Sequence, residues 1–144
     1  MASSSVRKNV ITLIHLAERG RFLEAIEDYY AEDATMQENN DPPRCGLDAL
    51  LEHERRVLRS FQKMHVSRAE SFLVDGDLAV INWVFEYTDR QGRRRRLDEV
   101  AHQLWQDGKI VRERFYYDPA QRDAEVVPER HRAFETIVSE ERTA

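Results

Sequence analysis

Glu99 and Glu113 stand in two runs, Leu97 to Trp105 and Ile110 to Tyr117, in which side chains alternate with the period of a strand. Between the runs, Gln106-Asp-Gly108 suits a three-residue hairpin loop with its glycine in the left-handed region, which would pair Trp105 with Lys109. Counting back from that pair sets Gln103 opposite Val111, Ala101 opposite Glu113, Glu99 opposite Phe115 and Leu97 opposite Tyr117, all on one face. The preceding run offers Ala79, Ile81, Trp83, Phe85 and Tyr87 as its larger and more aromatic set. Aligned with that face, it predicts a cavity walled by Trp83, Phe85, Phe115 and Tyr117 that holds Glu99, Gln103 and Glu113. A carboxylate in such a place loses hydration, and its pKa rises toward the range useful for moving protons. Two of them on adjacent strands could share a proton or engage a bridging cation. The competing reading pairs either glutamate with an arginine such as Arg44, Arg94 or Arg96 and treats the aromatic residues as ordinary core.

The sequence has no nucleophile elbow, phosphate loop or dinucleotide fingerprint, so the hydrolase, nucleotide and dehydrogenase readings have no footing. His15, His53, His65, His102 and His131 show no metal-ligand spacing, so neither a metal nor a cofactor is expected. His53 sits near the apolar edge of a helical stripe and either reaches the cavity or bonds to water at the helix edge. What remains is cofactor-free acid–base chemistry of an isomerase, cyclase or dehydratase kind on a small, largely apolar ligand. Without chemistry, the same frame serves as a dimeric binding or assembly module.

The elements that position these residues follow from periodicity. Val6, Val10, Leu13, Ile14 and Ala17 recur at helical spacing up to Gly20, and a second helix carries Phe22, Ala25, Ile26 and Tyr29. Ala34 to Glu38 reads as a short strand. Leu47, Leu50, Leu51, Glu54, Val57, Leu58 and Phe61 then trace the clearest helix. From His65 the period falls to two, giving strands Val66–Val74, Leu78–Tyr87, Leu97–Trp105 and Ile110–Tyr117, whose short turns make neighbours antiparallel. Pro128 is placed to open a last helix bearing Ala133, Phe134, Ile137 and Val138. Helices followed by a meander predict an α+β domain with the helices on one sheet face. The other face, with Val100, Leu104, Ile110 and Tyr116, predicts a homodimer through the outer sheet surface.

A net charge of -5 repels nucleic acid and anionic membranes, so neither is an expected partner. The exception is the run Arg93 to Arg96, which is either a phosphate patch or a set of ion pairs at a solvated edge. Cys45 is the single cysteine, which excludes an internal disulfide, and the N-terminal segment has no secretory pattern; a cytoplasmic setting is the expectation.

Tyr30-Ala-Glu-Asp-Ala-Thr35, Pro43-Arg-Cys-Gly46, Asp107-Gly-Lys-Ile-Val111 and Phe115-Tyr-Tyr-Asp-Pro119, in this order, resemble the nuclear transport factor 2-like superfamily, and within it the SnoaL-like, ketosteroid-isomerase-like branch. The likeness covers roughly residues 6 to 119. It implies a cone-shaped, cystatin-like roll over residues 1–119, its curved, mainly antiparallel sheet packed on N-terminal helices, and leaves the tail outside, so that residues 120–144 are a C-terminal helical extension on the Pro128 pattern alone. It also implies that Glu38 occupies the place of the isomerases' general base, at the open end of the acid cluster. Their two oxyanion stabilisers fall at Leu13 and Ala101, so steroid isomerisation by that set of groups is not implied. Likeness to SnoaL-type cyclases around Tyr117-Asp-Pro119 makes Asp118 a second candidate acid.

Overall fold

The computed structural model describes residues 2–123. Three helices, α1 (Ala2–Glu18), α2 (Phe22–Tyr29) and α3 (Leu47–Arg59), lie against a sheet of six strands. The strands are β1 (Tyr30–Glu38), β2 (Arg44–Cys45), β3 (Phe61–Asp75), β4 (Leu78–Asp89), β5 (Arg94–Gln106) and β6 (Lys109–Tyr116), and a 3-10 turn, Pro119–Arg122, follows. Strand order is β2-β1-β6-β5-β4-β3. All neighbours run antiparallel except β1 and β6, which are parallel. The expected C-terminal helix lies outside the described residues. Among those described, no helix is long and apolar enough to cross a membrane.

The helical stripes close one face of the sheet. Val10 of α1 and Leu50 of α3 are fully buried, as are Ala79, Ile81, Ala101 and Trp105 of the inner sheet face. Each large apolar side chain removed from water in this way contributes about 1.5–3 kcal/mol, which is why the amphipathic stripe, more than local propensity, decides where each helix lies. Ser67 Oγ donates to Ala17 O at 2.9 Å and Ala69 N to Glu18 Oε2 at 3.2 Å, tying the end of α1 to β3.

Four features depart from the sequence expectation. Strand β1 starts four residues early, at Tyr30, because it finds a parallel partner in β6, with an irregularity between Tyr30 and Thr35. Arg44 and Cys45 form a short edge strand against Met36 and Thr35. Phe61 belongs to β3 instead of the third helix, which ends at Arg59.

The last hairpin is the fourth. Its loop has two residues, Asp107 and Gly108, at φ 52° and 78°, closing the pair Gln106↔Lys109. Two successive left-handed residues make the tight turn whose twist matches that of the flanking strands. A bulge between Leu104 and Trp105 then sets Gln103 opposite Glu113 and Ala101 opposite Phe115. The register is thus two residues from the expected one, and a displacement of two keeps every later side chain on its face. Ile110 is the correction: it pairs with Trp105 and is fully buried in the core instead of on the outer face.

Candidate functional site

The three helices and the inner sheet face enclose a cavity of about 310 Å³. Phe22 and Ile26 of α2 and His53, Glu54 and Val57 of α3 form one wall; Trp83, Phe85, Leu97, Glu99 and Phe115 form the other. Alternation puts Trp83 and Phe85 on the same side of β4, where their rings stack with centroids 5.8 Å apart. Phe22 meets Phe85 edge-on at 6.3 Å, locking helix to sheet.

Glu99 lies directly across from Trp83 in the β4–β5 ladder. It is 9% exposed, and that exposure faces the cavity. Among the described residues no hydrogen bond or ion pair holds its carboxyl. Burial, followed by the nearby charges of Glu113 and Glu38, pushes it up to about 8. At neutral pH Glu99 therefore carries its proton and presents an O–H donor to whatever fills the cavity.

Glu113 is placed differently. It is 1% exposed and lies behind the cavity wall. Its Oε1 accepts from the Tyr30 hydroxyl, and its Oε2 from Gln103 Nε2 at 2.6 Å. Trp105 Nε1 in turn donates to Gln103 Oε1 at 3.0 Å. Burial raises the Glu113 carboxyl to about 7 against the lowering effect of those two hydrogen bonds. The chain Trp105–Gln103–Glu113–Tyr30 satisfies four buried polar groups and joins β5, β6 and β1. Gln103, expected in the cavity, serves in this network. With Glu113 opposite Gln103, the backbones of the two glutamates are four positions apart along the ladder, roughly 13 Å at ~3.3 Å per residue, and among the described residues no hydrogen bond joins their carboxyls; they interact through charge alone.

Glu38 reaches the cavity from the end of β1, gripped on both oxygens. Arg44 donates to Oε2 at 2.8 Å; Arg122 and the Tyr117 hydroxyl donate to Oε1 at 2.8 and 3.1 Å. Arg122 also lies over the Tyr117 ring, 4.9 Å from its centroid. Burial alone would raise the Glu38 carboxyl, but the Arg44 hydrogen bond and the Arg122 and Arg44 charges outweigh it and hold it below the usual range. Glu38 is an anion at neutral pH, and a weak base.

His53 lines the cavity; burial, with Arg44 next, lowers its pKa and keeps the ring neutral. Phe115 lines it too, whereas Tyr117 contributes through Glu38. Asp118 stands outside, exposed, capping the 3-10 turn by accepting from Ala120 N at 2.9 Å. The arginine run is spent on ion pairs: Arg93 and Arg95 with Asp89, Arg94 with Glu86, and Arg96 with Glu86 and Asp98. Among the described residues no cluster of three or more His, Cys, Asp or Glu side chains is arranged to hold a metal.

Sequence reasoning missed three residues of the site. Glu54 lines the cavity from α3, and burial, then the Glu38 charge, raises its carboxyl to about 7. Its signal was present, since it is the one acidic residue on the apolar stripe of that helix. Tyr30 lies at the start of a strand whose parallel pairing no local pattern announces, and Arg122 follows the last strand, where there is no periodicity to read.

Known proteins share this fold. A family model described as a SnoaL-like domain matches residues 10–113. No curated protein matches the sequence. Among solved structures, a Mesorhizobium loti protein assigned as a SnoaL-like polyketide cyclase is 27% identical, with a TM-score of 0.68 over 78% of this chain and 98% of its own. An NTF2-like protein of Burkholderia pseudomallei is 18% identical, with a TM-score of 0.72 over 82% of this chain and 94% of its own. A Catenulispora acidiphila protein with a ketosteroid isomerase-like fold is 16% identical, with a TM-score of 0.66 over 78% of this chain and 87% of its own. The last two likenesses show the fold alone: a cone-like α+β architecture of the NTF2-like kind. With more than half of its length matched by the family model, the chain belongs to the SnoaL-like domain family.

Proposed function

We propose that this protein binds a small, largely apolar molecule bearing a hydrogen-bond acceptor oxygen, and moves a proton on it without a cofactor, as an isomerase, cyclase or dehydratase does. The observation that carries this reading is Glu99, a buried carboxyl facing an aromatic cavity with no hydrogen-bond or ion-pair partner among the described residues, where burial favours its neutral, proton-donating form. An O–H donor in a site of low dielectric stabilises negative charge developing on a carbonyl oxygen far better than water does. Trp83, Phe85 and Phe115 supply the apolar walls that hold a flat ring.

Titration with an aromatic ketone, followed by tryptophan fluorescence in Trp105→Phe so that cavity-lining Trp83 is the reporter, tests it. A saturable change is expected, weakening as pH rises past about 8 and losing that pH dependence in Glu99→Gln. Absence of saturable binding, or binding with the same pH dependence in Glu99→Gln, would sink the proposal.

The outer sheet face supports a second inference, that two copies pair through it. Leu73, Leu78, Val100 and Tyr116 are 74, 40, 37 and 47% exposed, and apolar surface of this kind on a sheet buries itself against a partner. Sedimentation should give twice the chain mass at micromolar concentration and one chain mass for Val100→Glu; a wild-type monomer would exclude the pairing.

A further inference from the structure

We propose that the group taking the proton in this cavity is Glu54 of α3, working across the substrate from the acid Glu99, and that Glu38 is a positioning residue. The inference rests on the proposed function and names a residue for it.

Three features carry it. Glu54 and Glu99 line the same cavity from opposite walls, one on the helix layer and one on the sheet, so a flat molecule between them meets a carboxyl on each side. Neither carboxyl has a hydrogen-bond or ion-pair partner among the described residues, so both are turned to the cavity contents. Glu38, by contrast, is held by two arginines and a tyrosine, and taking up a proton there would break that set of contacts.

Base strength follows the same division. The Glu54 carboxyl, raised to about 7 by burial and by Glu38, is ionised in a large fraction of molecules at neutral pH and still binds a proton well. The ionisable groups around it are Tyr30 and Glu38 from β1, Tyr87 from β4, Glu99 from β5, Arg122 from the 3-10 turn and His53 on its own helix, with Glu113 of β6 behind the wall. The cavity residues of α2 and β3, Phe22, Ala25, Ile26, Phe61 and Met64, are uncharged. Since Glu38 raises the Glu54 carboxyl, it tunes the base as well as orienting the arginines.

A carbon acid with a built-in leaving group tests the assignment without knowledge of the natural substrate. In 5-nitrobenzisoxazole, a carboxylate removes the ring C–H proton, the C–H electron pair completes the nitrile, and the N–O bond breaks to leave a phenolate whose colour reports the rate. Glu54 would take the proton while Glu99 donates to the departing oxygen. The expected rate rises with pH through about 7. Glu54→Gln should lower it by about 100-fold or more, the usual worth of a general base, and abolish the rising limb. Glu38→Gln should keep the limb and move it to lower pH.

Loss of the limb in Glu38→Gln with its survival in Glu54→Gln would overturn the assignment, as would binding of the probe without turnover at any pH. If tryptophan fluorescence shows that the folded wild type does not bind the probe at all, the cavity reading fails too, and the two failures are thereby told apart.

Discussion

Replacing Glu99 with glutamine should make the protein more stable, by an amount that depends on pH. The carboxyl leaves an ordinary value of 4.5 in the unfolded chain and titrates at about 8 in the folded one. Between those values the native state holds a proton that the unfolded state has released, so the native state binds more protons and stability falls as pH rises. Each pH unit of that interval is worth about 1.4 kcal/mol, which puts the full penalty at roughly 5 kcal/mol. Water entering the cavity and relaxation of Glu54 and Glu113 reduce this to about 2–4 kcal/mol. Glutamine has nearly the shape of the neutral acid and does not titrate. The difference in unfolding free energy between Glu99→Gln and wild type should therefore be near zero at pH 5, grow through pH 6 and 7, and level off above about pH 8. Urea denaturation at half-unit steps from pH 5 to 9 measures it directly. A difference that stays flat across that range would show that Glu99 is hydrated and ionised, and the acid role would fall with it.

Other perturbations follow from the same contacts. Tyr30→Phe leaves Glu113 Oε1 without its buried donor and should cost about 1–3 kcal/mol in urea denaturation, more at pH 8 than at pH 5 because the ionised carboxylate needs the donor most. Gly108→Ala forces a β-carbon into the left-handed turn of the last hairpin and should cost about 1–2 kcal/mol without altering ligand binding, read by thermal unfolding beside the fluorescence titration. Trp83→Ala removes the ring stacked on Phe85 and should cost about 3–5 kcal/mol while abolishing the ketone-induced signal.

The parity of the sheet was legible because one face is enclosed, and an alternation of buried and exposed residues tolerates no odd slip. Glu99 and Glu113 were assigned to the interior for that reason, and both are there. The distance between them was not legible. It depends on a turn one residue shorter than expected and on a bulge that nothing in Leu104-Trp105 announces. The partners of Glu38 were hidden for a different reason: Arg122 lies 84 positions away, and only closure of the chain on itself brings it near. Glu54 was visible as a charge on an apolar stripe, yet the surface of a helix holds so many glutamates that its burial can be read only once the opposing sheet is in place.

The parallel pairing of β1 with β6 also bears on how the chain folds. Strands β3 to β6 join through tight turns and can assemble from local contacts, whereas Tyr30 and Glu113 must meet across 83 residues. Closing so long a loop is entropically unfavourable before any contact rewards it, so β1 should dock late, onto a preformed meander. During synthesis α1, α2 and β1 leave the ribosome before β6 and must wait for that partner strand. Until it arrives, the acid cavity does not exist, and the apolar stripes meant to roof it are open to other chains.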